Sequence, residues 1–114
     1  SRFVRTVMMV NFADPVKGAR GAVLLAEHIL DSVDIPRGEI KHTPDENAFA
    51  EDYTQWTVIK DLTNRVMYVR DYDDLTLRAI DLKKLDFGPG MRTRTIPLES
   101  GDPGIIDITD DLLL

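Results

Sequence analysis

The chain has 114 residues, the size of about one domain, and its 43% hydrophobic and 30% charged residues mark a globular composition rather than a disordered one. Lys and Arg total 14 against 20 Asp and Glu, giving a net charge of −6 with the bases scattered, which argues against a nucleic-acid partner. There is no cysteine, so disulfides, thiolate metal sites and a cysteine nucleophile are excluded within these residues, and the redox compartment stays open.

No apolar run has the length needed to span a bilayer, so no membrane is expected, and no signal-peptide pattern is present. A start at Ser1 rather than methionine points to processing or truncation. Residues 2–12, "RFVRTVMMVNF", read as a strand, with Phe3, Val7 and Met9 on one face and Val4, Met8, Val10 and Phe12 on the other. Arg2 and Arg5 then project to opposite faces. A strand apolar on both sides needs cover on both, and the single helix that follows cannot supply it. The sequence therefore reads as part of a larger layered fold.

A helix is expected over 14–34, with Asp14 as N-cap, Pro15 in the first turn and Pro36 and Gly38 beyond its end. Val16, Ala19, Val23, Ala26, Leu30 and Val33 form its apolar stripe. Residues 37–52 are polar and turn-rich and read as a loop. An antiparallel meander follows over 53–82, with strands at 53–62, 65–71 and 75–82. The first turn falls at Thr63-Asn64, where Asn tolerates positive φ. The tail, 87–114, contains Pro89, Pro97 and Pro103 and reads as extended chain on the surface.

Each chemical candidate has a plainer counterpart. Arg2 and Arg5, always charged and rich in donors, suit an anion or thiolate site, but equally a salt bridge or an exposed strand end. Ser1 is a possible N-terminal nucleophile with its own amine as base, although cleavage of any kind can leave a serine first. His28 and His42 have no companions at ligand spacing. The clusters Asp71, Asp73, Asp74 and Asp107, Asp110, Asp111 lack the glycine and distal Glu of a calcium loop, so they read as turn-forming acids. Trp56 and Tyr68 are candidate cross-strand neighbours, and such pairs more often pack than recognise ligands. There is no Gly-rich phosphate loop, and neither a cofactor nor a metal is expected.

Three stretches, "SRFVR", "AEHILDSVDIPRG" and "YTQWTVIKDLTNRVMYVRDYDDLTLRAIDLKKLDF", resemble the C-terminal third of the choloylglycine hydrolase family, the bile salt hydrolases and penicillin V acylases. The resemblance covers roughly residues 1–87. It implies an α+β fold, the C-terminal part of an αββα sandwich of the N-terminal-nucleophile hydrolases. It also implies cleavage of linear amide C–N bonds in conjugated bile salts, penicillin V or N-acyl amides. The family's nucleophile is an N-terminal cysteine, which here must lie upstream, as must the oxyanion-hole residues. By the same resemblance Arg2 is the catalytic residue, with Arg5 the less favoured choice, because a nearby cation favours thiolate. The implied partners are a small amide substrate, the missing N-terminal portion and further copies in a homo-oligomer, tetrameric in relatives. The meander leans towards the Gram-negative branch, which leaves bacterial periplasm and cytoplasm both open. The competing readings are a non-catalytic binding or assembly module and a self-sufficient hydrolase acting through Ser1.

Overall fold

The computed structural model describes residues 1–38, 52–99 and 104–113. Helix α1 spans Arg2–Phe12 and helix α2 spans Gly18–Asp31. Strands β1 (Trp56–Asp61), β2 (Val66–Asp71) and β3 (Arg78–Asp81) form one antiparallel sheet in the order β1-β2-β3. Short 3-10 turns occupy Leu82–Lys84 and Thr109–Leu112.

Residues 2–12 are a helix, not the expected strand. Arg2, Arg5 and Thr6 stand three and four apart, so a helix gathers them on one side, whereas a period of two scatters them over both faces. Length points the same way, since eleven residues exceed the usual strand and suit a helix. No glycine or proline interrupts them, and Ser1 Oγ accepts from the Val4 N–H at 3.5 Å as a loose N-cap. Arg2 and Arg5, three apart on a helix, lie on neighbouring positions of one side rather than on opposite faces.

Helix α2 begins four residues later than expected, at Gly18, and Asp14 does not cap it. Lys17 holds the N-cap position without a side-chain hydrogen bond. Gly18 has φ +78°, a left-handed conformation that breaks any helix continuing from Pro15. At the other end Ser32 closes the helix, its N–H and hydroxyl both donating to the Ile29 carbonyl. Of the expected loop at 37–52, residues 39–51 lie outside the described residues.

The meander forms as read, with strands slightly shorter at their ends. Its register pairs Ile59 with Tyr68 and Tyr68 with Ala79. Trp56 pairs with Asp71. Trp56 and Ile59 are an odd number of positions apart, so Trp56 and Tyr68 occupy opposite faces and are not neighbours. In the first turn the positive φ falls on Arg65 (+56°), not on Asn64. Replacing Arg65 with glycine is expected to stabilise the protein by about 0.5–1 kcal/mol, because a β-carbon is disfavoured in that conformation. Denaturant unfolding measures this, and a loss of stability contradicts it.

Asn64 serves the turn differently. Its N–H and side-chain amide donate to the two carboxylate oxygens of Asp61 at 3.0 and 2.7 Å. These bonds, the side-chain one foremost, hold the Asp61 pKa below the usual carboxylate range. A carboxyl with a lowered folded pKa stabilises the turn above its unfolded pKa and loses that contribution as pH falls through the folded value. The Asn64 amide proton shift is therefore expected to titrate in acid below an exposed aspartate, and a midpoint at the ordinary value contradicts this.

Alternation along the strands puts Thr57, Ile59, Tyr68 and Arg70 on one face, and α2 packs there against β1. Val58, Met67, Val69 and Ile80 form the other face. Among the described residues only Val23 on α2 and Val69 on β2 are buried hydrophobics, one on each side of the sheet. The radius of gyration is 18.2 Å, whereas a compact domain of this length has about 13 Å. Phe3, Phe12 and Leu62 are more than three-quarters exposed, and burying such a side chain is worth about 1.5–3 kcal/mol.

Candidate functional site

The two arginines of α1 have different employment. Arg5 Nη1 donates to the Ser32 carbonyl at 2.8 Å, fastening α1 to the C-terminus of α2. There it satisfies a carbonyl left free by the helix end, which is also the favoured place for a cation. Arg2 makes no side-chain hydrogen bond or ion pair to the described residues, and only its carbonyl is engaged, accepting from Thr6 Oγ1 at 2.8 Å. Arg2 stands in the first turn, where the helix dipole opposes a cation and no acid compensates it. Arg2 is exposed.

The strongest electrostatic element is one that sequence reading passed over. Arg70 on β2 is 4% exposed and pairs with Glu27 at 3.2 Å and with Asp31, both on α2. The acids are four apart and so share the helix face that meets the sheet. The signal was present: an arginine inside the apolar run "RVMYVRD", and two acids at helical spacing.

A second cluster gathers at the exit of α2. The Tyr53 and Tyr72 rings meet edge-on at 5.1 Å, and the Arg37 guanidinium lies 4.5 Å from one ring centroid and 5.1 Å from the other. The Arg37 N–H also donates to the Tyr72 hydroxyl at 3.1 Å. Contact with Tyr53, chiefly its hydrogen bond, raises the Arg37 pKa further, so the cation is permanent. This arrangement clasps the chain after α2 to the start of β1, as do the two hydrogen bonds between Ile35 and Thr54.

The acidic clusters build turns. Asp71 Oδ1 accepts from the Asp74 N–H at 2.8 Å, and Asp74 Oδ1 accepts from the Thr76 N–H at 2.9 Å. Asp107 Oδ1 accepts from the N–H and hydroxyl of Thr109. These bonds, with that to the hydroxyl foremost, lower the Asp107 pKa. His28 is exposed on α2, and His42 lies outside the described residues. Among the described residues no three His, Asp or Glu converge as metal ligands, and no helix is long and apolar enough to cross a membrane.

The scaffold is a mixed one of two helices and an antiparallel three-stranded sheet. Residues 1–103 match the family described as linear amide C–N hydrolases, choloylglycine hydrolase family, and the chain belongs to that family. Among solved structures it is similar to an arginine-to-leucine variant of the conjugated bile acid hydrolase of Clostridium perfringens, at 28% identity and a TM-score of 0.55. The alignment covers 75% of this chain and 25% of that one, so the chain spans about a quarter of that structure's length. No curated relative matches the chain.

Proposed function

We propose that these residues are the C-terminal segment of an αββα sandwich in an amide hydrolase whose N-terminal cysteine lies outside them. The reading rests on the family match over residues 1–103. Two structural facts support it. Helix α2 packs on one face of a three-stranded antiparallel sheet, the helix-on-sheet layering that such a sandwich requires. The guanidinium of Arg2 is uncommitted. In this reading the thiol passes its proton to the α-amine and the thiolate adds to the amide carbonyl; the C–N bond then breaks to leave a thioester, the α-ammonium returning that proton to the departing amine. Water then hydrolyses the thioester and frees the acid. Arg2 holds the thiolate in its charged form and in place, because a neighbouring cation favours the anion.

The substrate class is a linear amide: a conjugated bile salt, penicillin V or an N-acyl amide. The whole protein acts on it as a homo-oligomer in a bacterium, with no cofactor. The test is amine release from these three classes by the whole protein, in water enriched in heavy oxygen. Hydrolysis puts one labelled oxygen into the acid product. Absence of amine release from all three, by a protein with an intact N-terminal cysteine, overturns the reading.

A further inference from the structure

Helix α1 carries one hydroxyl residue, Thr6, in a run otherwise made of apolar side chains, two arginines and an asparagine. Threonine is among the weaker helix formers, because its branched β-carbon restricts χ1 against the preceding turn. Thr6 is also half-buried, while every other residue of α1 is exposed. Further chain packed on the helix can only deepen that burial. A polar side chain that weakens the helix and yet holds its most enclosed position needs a role, and its hydrogen bond supplies one.

Thr6 Oγ1 donates to the Arg2 carbonyl at 2.8 Å. Residues four apart are neighbours on one side of a helix, and side chains lean towards its N-terminus, so Thr6 leans towards the root of Arg2. The two peptide groups flanking the Arg2 α-carbon are both held. The Ser1 carbonyl accepts from the Arg5 N–H at 3.1 Å, and the Arg2 carbonyl accepts the Thr6 hydroxyl. A helix needs no such hydroxyl, since a backbone N–H alone completes each of its bonds. Arginine is long and rich in rotamers, so a tilt at its α-carbon is magnified at the guanidinium.

We infer that Thr6 is a positioning residue for Arg2, its hydroxyl fixing the peptide from which the guanidinium is projected towards the nucleophile. The inference rests on the role given to Arg2 under the proposed function. It adds a residue that meets neither substrate nor thiol and acts only through Arg2.

The test follows alkylation of the proposed N-terminal thiol by iodoacetamide against pH in the whole protein, with circular dichroism as the check of folding. Thr6→Val keeps the branched shape and removes the bond. It is expected to raise the midpoint by about half a unit, less than Arg2→Ala does. Thr6→Ser, which retains the hydroxyl, is expected to leave the midpoint where it was. On the Arg2→Ala background Thr6→Val is expected to add nothing, because the two residues act as one unit. Should Thr6→Val disturb folding, Thr6→Ala removes the same bond with a better helix former. An unmoved midpoint in a folded variant without the hydroxyl, where Arg2→Ala does shift it, overturns the inference and leaves Arg2 in the site. A further shift from Thr6→Val on the Arg2→Ala background also overturns it, as the mark of a general loosening of α1. An unmoved midpoint in Arg2→Ala itself overturns the role of Arg2, and the inference falls with it.

Discussion

Replacing Glu27 and Asp31 together by alanine is expected to cost about 3–5 kcal/mol of stability, the largest loss from any two surface carboxylates in this chain. The size follows from which partner is buried. Arg70 has a side chain only 5% exposed, while Glu27 and Asp31 are 25% and 54% exposed. Removing the acids strands a guanidinium that water cannot reach. Removing the guanidinium leaves two carboxylates that water can partly solvate. Arg70→Met is therefore expected to cost less, about 1–3 kcal/mol, since its chain fills much of the same volume and the stranded charges stay wet. Either single acid variant should fall between, with Glu27 the costlier because it is the more buried. Denaturant unfolding of the whole protein measures the order. If Arg70→Met is the most damaging change, the buried ion triad does not hold α2 to the sheet as described.

The second large effect is kinetic. Arg2→Ala is expected to lower kcat/KM about a hundredfold, or about 3 kcal/mol of transition-state stabilisation, with little change in melting temperature. Arg5→Ala should behave in the opposite way. It frees the Ser32 carbonyl and loosens α1 from α2, costing about 1 kcal/mol of stability with kcat nearly intact. The contrast rests on geometry: two guanidiniums three residues apart, one engaged at 2.8 Å and one free. Equal effects from both substitutions, on either observable, contradict this division of roles.

What the sequence disclosed, and what it hid, can be traced to individual residues. The meander was legible because "TQWTVIKDL" and "RVMYVRD" alternate and a turn separates them, and the register requires nothing more. The strand expected at 2–12 failed because a two-residue period scatters Arg2, Arg5 and Thr6 over both faces, whereas steps of three and four gather them on one side of a helix. Asp14 and Pro15 pointed to an earlier start for α2, and only the positive φ of Gly18 shows where the helix begins. The assignment of Asn64 to the left-handed position rested on its tolerance for it. The structure gives that position to Arg65, because the Asn64 side chain is held by Asp61.

Arg2 was named by resemblance alone, and a strand gave no physical reason to prefer it over Arg5; on the helix Arg5 is engaged by the Ser32 carbonyl. The Arg70 triad was not legible because it joins residues 39 and 43 apart in sequence, and no local pattern pairs them. The Arg37, Tyr53 and Tyr72 cluster escaped for the same reason. Aromatic residues were matched by strand order, whereas the contact depends on how the chain leaves α2.

The reaction of the proposed N-terminal thiol with iodoacetamide, followed against pH in the whole protein and in its Arg2→Ala variant, puts the central idea to the most direct test. A cation at the sulfur lowers the thiol pKa, so deleting it must shift the alkylation midpoint to higher pH, by about one unit or more. Superimposable profiles for the two proteins would mean that Arg2 does not attend the nucleophile.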